Sequence, residues 1–189
     1  MQEGEIPRSD GFLEADDEGN SAGSELLEGA MIHAANAYQQ RKVPYIGFLW
    51  SSLLFRSDVS PDYGHFLLSL ADRLTYRQLQ AIAFIAENAG REQLARLEAE
   101  REHKGGWSFA NGLGVELNEA GDVGLFGIEQ ASGAVTHPRA TMSSAGIESA
   151  QLSKIGLTPL GRNLYELMEL HRIPEEEKNR ILDLIRAGH

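Results

Sequence analysis

Cysteine is absent from the 189 residues of this chain, and basic residues are scarce beside acidic ones. Without thiols the chain forms no disulfide, no thiolate zinc site and no iron–sulfur cluster, and it has no cysteine nucleophile. Lysine and arginine number 17 against 28 aspartates and glutamates, which gives a net charge of −11 at pH 7. Apolar residues make up 42% of the chain, enough for a hydrophobic core without covalent cross-links.

A long apolar run is also missing. The longest one covers residues 45–55 and contains two serines, whereas a helix that crosses a bilayer needs about 20 apolar residues. The acidic start of the chain lacks the basic and apolar regions of a signal peptide. We therefore expect a soluble, cytoplasmic protein with no membrane partner.

Sequence motifs for catalysis are missing as well. The six histidines are scattered without the spacing of a helical metal site, and no nucleophile elbow, phosphate-binding loop or dinucleotide fingerprint is present. His137, beside Arg139 in a predicted loop, is the one place where we would look for chemistry. We predict no catalytic, cofactor-binding or metal-binding residues and no cofactor. An enzyme whose site is assembled from distant residues is the third-ranked alternative.

The acidity is concentrated at the start of the chain. Residues 1–30 hold nine acids and one base. Residues 1–23 are rich in glycine, serine and acids, a composition that buries too little surface to offset the entropy of ordering. They are predicted to form a disordered acidic tail or linker, and residues 24–189 a single mainly helical domain.

Helical periodicity dominates the rest of the sequence. The first helix is predicted over residues 24–42 and is stopped by Pro44. One face of this helix carries Leu27, Met31, Ala34, Ala35 and Tyr38. Short capping signals mark the starts of later helices at Ser60-Pro61, at Thr75 with Gln78, at Thr158-Pro159, and at Pro174 followed by three glutamates.

Glycine interrupts the helical pattern in the middle of the chain. Residues 123–128 and 151–157 are predicted as strands on either side of an extended loop at residues 131–150, and a short helix is plausible near residues 115–120. The predicted fold is mainly α (α+β), a helical bundle with a small winged-helix-like β-hairpin before the C-terminal helices.

Three pieces of sequence resemble the winged-helix domain of MarR-like bacterial regulators. Residues 74–82 look like an opening helix, residues 116–125 like a recognition helix passing into the first wing strand, and residues 157–162 like the exit from the wing. The resemblance covers about residues 74–170 and implies a DNA-binding transcriptional regulator. This chain departs from the family in lacking a clear second helix before the recognition position and in having an unusually long wing.

Charge argues against DNA binding by this segment. Residues 105–170 contain three bases and seven acids, and the recognition position carries Glu116, Glu119 and Asp122. DNA affinity depends largely on lysine and arginine at the phosphates. If the chain does bind DNA, the candidate contacts are Arg77, Arg139 and Arg162.

The nearly continuous apolar segment at residues 45–55 allows two interpretations. An all-round apolar helix is usually buried in a core, but its aromatic residues are also typical of oligomer or partner interfaces. The candidate interaction residues are Tyr45, Phe48, Trp50 and Phe55. The leading hypothesis is a non-enzymatic protein-interaction or regulatory module that self-associates or binds a protein partner. The alternative is a winged-helix DNA-binding regulator.

Overall fold

The protein forms two compact units. The computed structural model describes residues 6–87, 92, 94–96, 99, 124–129, 135–136 and 154–186. The first unit comprises Met1–Tyr76 and Glu166–Glu169, and the second comprises Arg77–Tyr165 and Leu170–His189. No linker or change of composition in the sequence marks the boundary between the two units.

The first unit is built from three packed helices. They are α1 (Ala22–Asn36), α2 (Val43–Leu53) and α3 (Pro61–Arg73), with a 3₁₀ turn at Gln40–Lys42 before α2. Each of the three helices packs against the other two. Their shared core contains Leu26, Ile46, Leu49, Leu53, Leu67 and Leu68.

The helix starts in this unit follow local chemistry. Ser21 and Ser24 form a capping box at α1, in which the Ser21 hydroxyl accepts a hydrogen bond from the amide of Ser24. At α3, Ser60 Oγ accepts from the amide of Tyr63, and Pro61 opens the helix, as predicted. The first helix is shorter than predicted and ends at Asn36 rather than at residue 42.

Pro44 has a different role from the one predicted. It lies in the first turn of α2, where its fixed φ suits the helix and its missing N–H would have had no helical acceptor. The residue therefore begins a helix instead of stopping one. The chain between Asn36 and α2 passes through extended backbone at Ala37 and the 3₁₀ turn.

Residues 6–23, within the segment that the sequence predicts to be a disordered tail, pack against the helices through two buried side chains. The Arg8 side chain is almost fully buried, and its guanidinium donates hydrogen bonds to the carbonyl oxygens of Val59 at 2.9 Å and Arg56 at 3.0 Å. The Phe12 ring is only 3% exposed, and the Arg8 guanidinium lies 4.2 Å from its centroid. Two anchoring side chains are enough to order an otherwise polar segment.

The second unit combines helices with a small antiparallel sheet. The first helix is α4 (Tyr76–Ala86), and the strands are β1 (Phe126–Glu129), β2 (Val135–Thr136) and β3 (Ile155–Leu157). The strand order is β2-β1-β3, both pairings are antiparallel, and Phe126 lies opposite Leu157. Two C-terminal helices follow the sheet, α5 (Pro159–Leu167) and α6 (Glu175–Arg186).

The predicted fold class is confirmed: the described part of the chain is mainly helical, with a small antiparallel hairpin before the C-terminal helices. The predicted strands are shorter than expected but lie at the expected places. The helix predicted near residues 115–120 and most of the predicted loop at residues 131–150 lie outside the described residues.

The junction between β3 and α5 is tightly built. Thr158 Oγ1 donates to the carbonyl oxygen of Gly124 at 2.5 Å and accepts from the amide of Gly161 at 3.2 Å. The amide of Thr158 donates to the carbonyl oxygen of Leu125 at 3.1 Å. Thr158 therefore caps α5, as the sequence predicts, and also joins the helix to the residues that enter β1.

Candidate protein-interaction surface

An apolar face of α1 is left uncovered in the first unit. Leu27, Met31 and Ile32 are 37%, 63% and 51% exposed. Together with the exposed Ala35 they form what we call the α1 strip. The strip lines a shallow groove of about 410 Å³, whose other lining residues are Ser24 and Glu28.

The opposite face of α1 supplies its core contacts. Leu26 and Ala30 are buried, and α3 approaches α1 closely because Gly64 has no side chain. A Cβ at Gly64 would lie 3.2 Å from Leu26 Cδ1. Neighbouring helix positions differ by about 100°, so the Leu26 row and the Leu27 row point in different directions. Because the Leu26 row is buried against the core, the α1 strip is exposed to solvent.

Tyr38 extends the exposed apolar character beyond the end of α1. It lies two residues after Asn36 and is 95% exposed. The sequence places Tyr38, Leu27 and Met31 on one face of the first helix, and the structure shows that this is not the face that packs. A helix with two apolar rows does not reveal from its sequence which row is buried.

Acidic residues border the α1 strip. Glu25 and Glu28 are exposed on α1, and neither forms an ion pair with any residue that the structure describes. The amide of Gly23 donates to the carbonyl oxygen of Phe12 at 2.8 Å, which fixes the preceding loop at the start of α1. That loop carries the exposed acids Glu14, Asp16, Asp17 and Glu18.

The predicted aromatic interaction residues differ in burial. Tyr45 is buried and packs edge-on against Phe48, with ring centroids 6.0 Å apart. Phe48, Trp50 and Phe55 are half-buried. The Trp50 Nε1 atom is buried and has no hydrogen-bond partner among the described residues.

Two of the three candidate DNA contacts lie among the described residues. Arg77, at the start of α4, and Arg162, in the first turns of α5, are both exposed in the second unit. Arg139 lies outside the described residues, as do residues 116–123 of the predicted recognition segment at residues 116–125.

Buried charged groups in the second unit serve its packing. Lys178 Nζ lies 2.6 Å from Glu87 Oε1 and 2.6 Å from Glu175 Oε1. Burial lowers the pKa of Lys178, but hydrogen bonds to Glu175 and Glu87 outweigh this effect and leave the pKa raised. Gln80 Nε2 donates to Glu177 Oε2 at 3.3 Å. These contacts link α6 to α4 and to the residue that follows it, and they pair the buried side chains of Lys178 and Gln80.

A buried lysine in the first unit has a similar structural role. Lys42 Nζ donates to the carbonyl oxygen of Asp72 at 2.6 Å. Burial lowers the pKa of Lys42, and the Asp72 carboxylate partly opposes this effect. That carboxylate also lies 3.3 Å from His33 Nδ1. The cluster ties α1 and the 3₁₀ turn to the end of α3.

Other classes of site find little support in the described ranges. Within them, no group of three or more metal-binding side chains is placed to hold an ion. No helix there has the length and hydrophobicity that crossing a membrane requires.

Comparisons of the chain with protein-family models, with curated proteins and with solved structures found no match. The resemblance to MarR-like regulators therefore stays a prediction, based on the order of its three sequence pieces.

Proposed function

We propose that this protein is a non-enzymatic protein-interaction module and that the α1 strip is its binding surface. The exposure of Leu27, Met31 and Ile32 in one groove carries the proposal. Single exposed apolar residues are ordinary, but apolar side chains that are contiguous on one face mark interaction sites.

The composition of the α1 strip also suits a binding role. Methionine is unbranched and polarisable, and it adapts to the shape of a partner. Leu27 and Ile32 flank Met31 along the helix, so a partner would bury all three side chains together. Helical surfaces of this kind bind partner helices through residues spaced three and four apart.

The capping box and the Leu26 contacts hold α1 in place independently of the strip. Substitutions in the strip should therefore alter binding while the fold is kept. This separation makes the proposal testable by mutation, because surface substitutions away from core contacts usually change stability by less than about 0.5 kcal/mol.

The test is site-specific photo-cross-linking in cells that produce the protein. A photoreactive phenylalanine at Met31 should form a discrete adduct that mass spectrometry identifies, and the same residue at Asp183, exposed on α6, is the matched control. The adduct should disappear when Ile32→Gln is added. Equal labelling from both positions, or an adduct that survives Ile32→Gln, would remove the α1 strip from the proposed function.

A further inference from the structure

Apart from His33, the charged residues of α1 and of residues 9–21 before it are acidic. Residues 9–36 contain seven acids and no lysine or arginine. Asp10 is paired with Arg8, whereas Glu25 and Glu28 form no ion pair within the described ranges. Glu28 also lines the groove itself. An apolar partner that approaches this face therefore meets carboxylates at its edge.

We propose that the α1 strip binds an amphipathic helix of a partner protein whose apolar face is flanked by lysine or arginine. This inference rests on the proposed function and adds the chemistry of the partner to it. Apolar anchors would fill the groove, and basic residues at their margins would lie near Glu25 and Glu28. Complementary charge at the rim of an interface selects the partner and speeds its association.

A helix fits the dimensions of the strip. Leu27 and Ala35 are eight positions apart on α1, which corresponds to about 12 Å at 1.5 Å per residue. That length accommodates about two turns of a partner helix, with anchors spaced three and four residues apart. The groove is open along α1 and is bounded by side chains of that helix alone.

A second copy of this chain is a poorer occupant. Pairing two α1 strips would bring two acidic N-terminal regions together, and each chain carries a net charge of −11. Like charges brought close at an interface are costly, which makes them a means of rejecting wrong partners. An anionic lipid surface is disfavoured for the same reason.

The experiment uses a fluorescent peptide of about 15 residues, or about four helical turns, built from leucine and lysine in an amphipathic pattern. A peptide with glutamate at every lysine position is its control. Binding to the full-length protein is followed by fluorescence anisotropy from about 0.05 M to about 0.5 M salt. We expect the lysine peptide to bind at low salt and the glutamate peptide to bind at least tenfold more weakly.

Two pairs of variants locate the binding and separate its components. Met31→Gln with Ile32→Gln should weaken binding at least tenfold, whereas Phe66→Gln, at an exposed aromatic residue outside the groove, should not. Glu25→Gln with Glu28→Gln should weaken it about fivefold at low salt and much less at high salt. Glu176→Gln with Asp183→Asn removes the same charge from α6 and should have a much smaller effect.

The outcomes distinguish the two proposals. In one outcome, the Met31 and Ile32 variant loses binding, but neither the charge of the peptide nor the substitutions at Glu25 and Glu28 change it. That result would overturn the proposal of a basic partner, while the proposed interaction surface would be retained. If the charge variants of α1 and α6 weaken binding equally, the peptide is attracted by the overall negative charge of the protein. This result would also overturn the proposal of a basic partner. If the substitutions at Met31 and Ile32 leave the affinity for the peptide unchanged, both proposals are overturned. If the protein sediments as a dimer and the substitutions at Met31 and Ile32 dissociate it, the occupant of the α1 strip is a second copy of this chain and not a partner protein.

Discussion

Arg8 shows how one buried side chain orders a segment whose composition predicts disorder. Its guanidinium donates to carbonyl oxygens that follow the end of α2, including those of Arg56 and Val59. Carbonyls at a helix C-terminus lack helical donors and attract cations. A single arginine supplies five donors in a fixed plane, so Arg8 satisfies several of these acceptors at once.

Asp10 completes this arrangement and makes it sensitive to acid. The hydrogen bond from Arg8 is the main reason that the pKa of Asp10 falls to about 2, below the ordinary 3.8. A lowered carboxyl pKa in the folded state contributes stability above the unfolded pKa, and this stability is lost as the pH falls through the folded value. The contribution of Asp10 should therefore be complete above about pH 4 and disappear towards pH 2.

The check is a comparison of urea unfolding for the wild type and Asp10→Asn across this pH range. The wild type should be more stable at pH 6, and the difference should shrink as the pH falls from about 4 to about 2. NMR titration of the Asp10 carboxyl should give a midpoint near the lower value. A midpoint at the ordinary aspartate value, or a stability difference that does not change with pH, would contradict the role assigned to Arg8.

At the scale of helices and strands, the capping signals predicted helix starts correctly, whereas Pro44 was assigned to the end of a helix and lies at the start of one. Ser60-Pro61 predicts the start of α3, and Thr158-Pro159 predicts the start of α5, because capping involves atoms only a few residues apart. The small sheet before the C-terminal helices could likewise be predicted from the glycine-interrupted pattern and the two apolar runs. These features need no knowledge of distant parts of the chain.

Features that depend on distant contacts could not be predicted. The sequence of α1 contains two apolar rows, and the buried one is the Leu26 row, which faces Gly64 of α3. The burial of Arg8 likewise depends on carbonyls about 50 positions away. The exposure of Leu27 and Met31 depends in the same way on contacts that the sequence of α1 does not contain.

The contact between β1 and α5 gives a sharp prediction about Gly161. A Cβ at this position would overlap the carbonyl oxygen of Leu125. Because this oxygen is a backbone atom, the overlap cannot be relieved by rotating a side chain. Gly161→Ala should lower the free energy of unfolding by about 1–3 kcal/mol, the usual cost of overpacking. Thermal and urea unfolding would measure the change.

Gly47 provides the matched control within α2. It is exposed, and a Cβ there would have no heavy atom within 4 Å. Gly47→Ala should raise the free energy of unfolding by about 0.5–1 kcal/mol, because alanine favours the helix. If Gly161→Ala raised the free energy of unfolding as Gly47→Ala should, the close approach of α5 to Leu125 would be refuted.

At the scale of the whole molecule, the chain enters the first unit twice. Glu166–Glu169 belongs to that unit although the residues before and after it belong to the second. Met168, within this short segment, is fully buried. The first unit therefore takes a core side chain from the far end of the sequence.

Fragments cut between Tyr76 and Arg77 should test this arrangement. The fragment 1–76 alone lacks Met168 and should unfold at a lower urea concentration than in a mixture with the fragment 77–189. Trp50 fluorescence reports on the first fragment if Trp107→Phe is placed in the second. A second fragment with Met168→Ala should restore less stability, since this truncation costs about 2–5 kcal/mol in a core. An unchanged midpoint for 1–76 after mixing would contradict the assignment.

The double entry of the chain into the first unit also sets the timing of its folding during synthesis. The last residue of its first stretch is Tyr76 and its second stretch starts at Glu166, so the ribosome must add about 90 residues between them. At about 5–20 residues per second this takes roughly 5–18 s. During that interval the three N-terminal helices have been synthesised but Met168 has not, so the core site that it fills is still empty. Synonymous codons that slow translation after residue 76 should therefore lengthen the exposure of this site without any change in the protein itself.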